Sequence, residues 1–196
     1  MNKDILSSLR PALVMTLLFA LLLGVAYPLA LTGAGQLLFP AQAYGSLVTD
    51  NGRVVGSALI GQGFASDGYF NGRPSAAGKG YDAMASSGSN LGPASRALVD
   101  RVTADKARIA AANGHPAVPI DLVTASASGL DPDISPAAAY YQVDRVARAR
   151  RLDPARVRAL VAASVDQPLL GFLGEPRVNL LALNRLLDRL SARPGS

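Results

Sequence analysis

Cysteine is absent from the 196 residues. That excludes a disulfide framework, a thiol nucleophile and a Cys-ligated metal, and it fits an exported domain. Histidine occurs once, as His115, and glutamate once, as Glu175. No second histidine and no carboxylate pair at helical ligand spacing accompanies His115, so a catalytic zinc site has nothing to build on. His115 lies between Gly114 and Pro116, where a solvent-facing turn is expected. A Ser-His-Asp triad would need His115 and a Gly-x-Ser-x-Gly elbow, and no such elbow occurs. Lysine is scarce beside arginine in a chain of formal charge +5. A balance this mild reads as a solvated surface rather than as a nucleic-acid or lipid footprint.

Long uncharged runs are also rare, with one exception near the N-terminus. Pro11 to Leu31, PALVMTLLFALLLGVAYPLAL, holds no charged side chain. Its length of about 21 residues suffices for a helix to cross the roughly 30 Å of bilayer hydrocarbon. Thr16, Gly24, Tyr27 and Pro28 interrupt it, and a helix tolerates all four within lipid. A cleaved secretory signal has a shorter apolar region, of about 7–15 residues, and the small-residue pattern Ala41-Gln42-Ala43 lies well past its end. The run is therefore read as a retained anchor. Lys3 and Arg10 precede it and no Lys or Arg follows until Arg53. The positive-inside rule then puts the N-terminus in the cytoplasm and the rest of the chain outside. The expected organisation is a cytoplasmic tail over 1–10, a transmembrane helix over 11–31, a linker over 32–43 and an extracytoplasmic domain over 44–196.

Within that domain, Asn51-Gly52 sits between two apolar runs, Gly45 to Val48 and Val54 to Ile60, and predicts an antiparallel hairpin. Gly61 to Gly92 is a long stretch of Gly, Ser, Ala and Asn with sparse aromatics at Phe64, Tyr69, Phe70 and Tyr81. Segments like this inside a compact domain are often functional, and the aromatics favour an ordered loop docked on its own domain or on a partner. Pro93 to Asn113 predicts a helix stopped by Gly114, with Arg101 and Asp105 placed for an i,i+4 pair. Ala117 to Ala125 reads as a short buried strand or turn. Ser135-Pro136 and Asp153-Pro154 each open a helix, the first residue as cap and the proline in the first turn. Val178 to Leu190 predicts a last helix with Leu180, Leu183, Leu187 and Leu190 at core spacing. Strands first and helices later make the fold class α+β, with one N-terminal membrane helix ahead of a single soluble domain.

Several stretches imitate functional motifs and depart from them at the residue that matters. Gly72 to Gly80 has one residue too many for a phosphate loop, and Gly80 stands where Ser or Thr would hold Mg²⁺. Ser75 and Lys79 miss the Ser-x-x-Lys spacing. Asp131-Pro132-Asp133 places two carboxylates in a turn, but the rest of a calcium loop is missing, and a turn leading into a helix cap is the simpler reading. Tyr140 to Val165, with Arg145, Arg148, Arg150, Arg151, Arg156 and Arg158, has the look of a basic helix-turn-helix. An exported domain meets no chromosome, so nucleic acid is not expected as a partner.

The order of motifs along the chain resembles the C subunit of the Kdp potassium-transporting P-type ATPase. The matching stretches are Tyr27-Pro28 with Thr32-Gly33, GSALIGQGF (56–64), YFNGRPSA (69–76) and YDAMASSGSNLGP (81–93). DLVTASASGLDPDISPAAAYYQVDRVARAR (121–150) and LGEPRVNLLALNRLLD (173–188) complete them. The resemblance implies a non-catalytic accessory subunit of a high-affinity, ATP-driven potassium importer in the inner membrane. Implied partners are a channel-like potassium-binding subunit, a catalytic P-type ATPase subunit phosphorylated on aspartate, and a very small single-helix subunit. No tightly bound cofactor is implied, although ATP is reached through the ATPase subunit. Family members are described as catalytic chaperones that raise that subunit's ATP affinity, and Gln142 matches the glutamine proposed to contact nucleotide. Read from the residues alone, Gln142 lies outside the membrane, where ATP is scarce, and no phosphate cradle accompanies it. Two mechanisms therefore stand: docking on the outer face of the potassium-binding subunit, and nucleotide-linked enhancement of the ATPase. A membrane-anchored periplasmic hydrolase or sensor domain is the alternative outside this family.

Overall fold

The computed structural model describes residues 2–192. Two compact units emerge, Met1–Leu47 and Val48–Ser196, and each is described by itself. The first is almost wholly helical: α1 (Asn2–Leu21), a π-helical turn (Leu22–Ala26), α2 (Tyr27–Leu38) and the short α3 (Pro40–Ala43). Ser7–Leu38 forms 32 helical residues, none of them buried, and its most apolar 18-residue stretch has a mean hydropathy of 2.3. At 1.5 Å per residue that is about 48 Å, longer than the hydrocarbon layer. Thr32–Leu38, expected in a linker, continues the helix, because neither proline nor charge interrupts it before Pro40.

The π turn has a local cause. Pro28 lacks an N–H, and in a regular helix its ring would press on the carbonyl four residues earlier, that of Gly24. Instead the Tyr27 N–H reaches back five residues to the Leu22 carbonyl. The wider turn accommodates the ring.

From the boundary at Leu47 onward, β1 (Leu47–Asp50) and β2 (Arg53–Ser57) pair as a hairpin. Its two turn residues, Asn51 and Gly52, both have positive φ, +47° and +76°. That is the conformation the Asn-Gly pair favours. α4 (Arg96–Asn113) ends at Gly114 with φ +77°. α5 (Pro136–Arg150) is capped by the Ser135 hydroxyl, which accepts from the Ala138 N–H at 3.0 Å. α6 (Pro154–Ala163) is capped by Asp153, which accepts from the Ala155 N–H at 2.9 Å. The stretch expected as a short strand or turn contains a single 3₁₀ turn, Ile120–Leu122, with Leu122 buried.

A second sheet has no counterpart in the sequence reading. β3 (Asp133–Ile134), β4 (Val165–Asp166) and β5 (Arg177–Asn179) form an antiparallel sheet in the order β3-β5-β4. Val178 faces both Ile134 and Val165 across it. Val178 therefore belongs to a strand, and α7 (Leu180–Ala192) begins two residues later than the leucine spacing suggested. The strands are too short to show alternation, so only their backbone pairing reveals them.

The core gathers around α5. Ala139, Val143 and Val146 are fully buried and cluster with Val157 and Val161 of α6 and Leu183 and Leu187 of α7. Phe70, from the long loop, is fully buried in the same cluster. A loop phenylalanine there ties a segment without regular structure to the stability of the whole domain.

Candidate functional site: a loop fastened by side-chain amides

The Gly61–Gly92 loop has no strand neighbour for its backbone, so side chains supply the missing partners. Asn184 of α7 accepts from the Phe70 N–H at 2.9 Å and donates to the Phe70 carbonyl at 3.0 Å. Gln142 of α5 repeats the arrangement one residue on. Its Oε1 accepts from the Asn71 N–H at 2.8 Å, and its Nε2 donates to the Asn71 carbonyl at 3.0 Å. A carboxamide carries the same donor and acceptor as a peptide group, so each side chain acts as a strand partner one residue long. Both are buried, Gln142 at 2% exposure and Asn184 at 1%.

Arg145, one turn along α5, completes the seam. It is 5% exposed, and its guanidinium donates to the carbonyls of Asp67 and Tyr69. It also donates to the side-chain oxygens of Asn71, Gln142 and Asn113. All five acceptors are neutral oxygens. Burial pulls the guanidinium below its ordinary pKa, and the nearby Asp67 carboxylate works against that shift. Arg150 makes a second fastening further along. It donates to the Gly68 carbonyl, pairs with Asp188 at 2.7 Å and lies 4.4 Å from the centre of the Tyr69 ring.

The far end of the loop closes on the Ser126–Asp131 turn. Ser75 Oγ donates to the Gly129 carbonyl and accepts from the Tyr81 N–H. Arg73 pairs with Asp131 at 2.7 Å. The Tyr81 hydroxyl donates to the Arg73 carbonyl at 2.6 Å, and burial, with Asp131 nearby, pushes its pKa up to about 12. The two carboxylates of Asp131-Pro132-Asp133 thus have arginine partners, since Arg177 lies 3.4 Å from Asp133.

Between the loop, α4 and α5 lies a cavity of about 360 Å³, lined by Phe64, Asn71, Arg108, Asn113, Gln142 and Arg145 among others. Gln142 therefore sits at a cavity wall, with both ends of its amide already bonded to protein. Its Nε2 also donates to the Ala138 carbonyl at 3.2 Å. His115 is half exposed and 3.8 Å from Asp144, with its ring edge-on to Tyr141. Among the described residues no group of three or more His, Cys, Asp or Glu is placed to hold a metal ion.

Sequence reasoning singled out Gln142 but missed its companions. In the sequence Arg145 stands among the arginines of the basic helix-turn-helix look-alike, Asn71 opens a turn-like Asn-Gly-Arg-Pro run that points only to an ordered loop, and Asn184 belongs to no functional motif. Asn184 had a signal: it interrupts the leucine stripe of α7 between Leu180 and Leu187, where a polar residue needs a buried partner. Of the other candidates, Arg101 and Asp105 do pair, at 3.3 Å.

Among the described residues one helix is long and apolar enough to cross a membrane and an α+β domain with a fastened loop follows it, an arrangement that fits a single-span membrane protein. Residues 9–189 match the family described as K+-transporting ATPase, c chain. Similar proteins include a "Potassium-transporting ATPase KdpC subunit" of Caulobacter vibrioides, 62% identical over 184 residues and 93% of each chain. Another of the same description, from Variovorax paradoxus, is 59% identical over 94% of this chain and 97% of its own. A third, from Bradyrhizobium diazoefficiens, is 54% identical over 96% of this chain and 100% of its own. The chain belongs to the KdpC family.

Proposed function

We propose that the chain is a non-catalytic accessory subunit of an ATP-driven potassium importer, anchored in the inner membrane with its N-terminus inside and its α+β domain outside. The observation behind this reading is the family match across 9–189, which takes in both the apolar helix and the domain. The orientation rests on Lys3 and Arg10 ahead of the span. Its partners are a channel-like potassium-binding subunit, the phosphorylated ATPase subunit and a small single-helix subunit. The domain docks on the outer face of the potassium-binding subunit, and the fastened loop gives it a fixed shape for doing so.

Purification of the membrane complex through a tag on this chain tests the role. A P-type ATPase subunit and a potassium-selective subunit should co-purify, and a monodisperse lone protein would refute it. Protease added to spheroplasts tests the orientation: the domain should be cleaved, and its protection would reverse the topology.

A second reading, nucleotide contact at Gln142 as part of a catalytic chaperone, is favoured by the position of that side chain on a cavity wall. Nucleotide would have to replace protein partners of the amide. Gln142→Leu and Asn184→Leu, compared in the assembled ATPase, separate fastening from contact. A rise in the KM for ATP confined to the Gln142 variant supports contact, and equal effects of both assign Gln142 to fastening alone.

A further inference from the structure

The β4–β5 hairpin ends in Pro168-Leu169-Leu170-Gly171-Phe172-Leu173-Gly174, and its apolar side chains point nowhere into the domain. Leu169, Leu170 and Phe172 are 70%, 76% and 73% exposed, and Leu173 is 51% exposed. Elsewhere in the domain exposed apolar residues stand singly, as Met84 and Ile120 do, or in adjacent pairs, as Val54–Val55 and Leu59–Ile60 do, which is ordinary for a protein surface. Four within five residues are not. The tip is also a built structure. Leu169 and Leu173 exchange both backbone hydrogen bonds, at 3.1 and 3.0 Å, and the Gly171 N–H donates to the Pro168 carbonyl at 2.9 Å. Leu170 holds a left-handed backbone, φ +57°, which a branched side chain adopts at a cost. Space around the turn is open, because a Cβ on Gly171 or Gly174 would meet no atom within 4 Å.

Charge decides among occupants. No Lys or Arg occurs from 159 to 176, and the tip is flanked by Asp166 and Glu175. Loops that enter anionic bilayers gain from a cationic collar, and this tip has carboxylates instead. Two-fold pairing with a second copy would bring those carboxylates against their own counterparts. A protein pocket with an apolar floor and a basic rim fits both features.

We propose that Leu169–Leu173 is a preformed docking knuckle that enters such a pocket on another subunit of the potassium-transporting ATPase. The proposal rests on the reading of this chain as a subunit of that complex. A turn already closed in the free protein loses little freedom on binding.

The test uses the full-length chain in the membrane-assembled complex, with a photo-reactive phenylalanine analogue in place of Phe172. Illumination should link the chain to another subunit of the ATPase. A link to lipid or to a second copy, or no link at all, would overturn the proposal. In parallel, the double variant Leu170→Ser/Phe172→Ser should melt like the unmodified chain, since both side chains are exposed, and reduce recovery of the complex about tenfold. Undiminished recovery overturns the knuckle while leaving the subunit reading intact. Failure of the unmodified chain to co-purify with any ATPase subunit overturns both.

Discussion

Gln142 on α5 and Asn184 on α7 grip adjacent residues of one loop with the same two-point contact, Asn71 by the first and Phe70 by the second. Two helices far apart in sequence are thereby tied to a segment with no regular structure of its own. Replacing either carboxamide by leucine leaves a peptide N–H and C=O with no partner in a buried setting. Each of Gln142→Leu and Asn184→Leu should cost about 2–4 kcal/mol, read as a fall in melting temperature of the full-length chain. Melting temperatures within a degree of the parent would show that water replaces the lost contacts.

Arg145→Lys keeps the charge but not the planar fork, so an ammonium group cannot serve five acceptors spread over the loop, Gln142 and Asn113. A loss on the order of 3 kcal/mol is expected, and the Gly61–Gly92 loop should become the first site of proteolytic cleavage. Cleavage beginning elsewhere would separate Arg145 from control of the loop.

Tyr81 makes a pH prediction. Its hydroxyl is held above its ordinary value of 10.0, at about 12, chiefly by burial. The folded state thus keeps a proton that the unfolded state releases first. This contribution to stability is fully present below pH 10 and is lost as pH rises towards 12. Tyr81→Phe should flatten the alkaline fall in melting temperature between those values and remove the last-titrating component of the tyrosinate absorbance. An unchanged absorbance titration would place the Tyr81 hydroxyl in water.

In the anchor, Gly24 leaves open space that a neighbouring helix can enter, since a Cβ there would meet nothing within 4 Å. Gly24→Leu should lower recovery of the assembled complex several-fold while membrane insertion of the chain persists. Recovery and potassium transport equal to the parent would show that no helix packs there.

The sequence made the large elements legible wherever a local rule dominates. Asn51-Gly52 marked the hairpin, Ser135-Pro136 and Asp153-Pro154 the starts of α5 and α6, and Gly114 the end of α4. What stayed hidden depends on residues distant in the chain. β3 and β5 are separated by about forty residues and are two and three residues long, too brief for any periodicity to register. The loop seam was equally silent. Asn71 looks like an ordinary turn residue, and its role exists only because α5 and α7 deliver two amides and a guanidinium to one place. Family resemblance alone points to Gln142, whereas its bonding to Asn71 and Arg145 follows from packing.

The π turn at Leu22–Ala26 has a bearing on how the anchor is read by its neighbours. One additional residue in a turn rotates everything beyond it by about 100° relative to the preceding helix. The stripe of side chains that a flanking helix meets along Ser7–Leu21 is therefore not the stripe it meets along Tyr27–Leu38. The span offers different lateral faces in its two halves, and an unbroken polyleucine helix of equal length would insert equally well yet mismatch one of them. Deleting a single residue between Leu22 and Ala26 would restore one continuous face and so shift which neighbour each half can recognise.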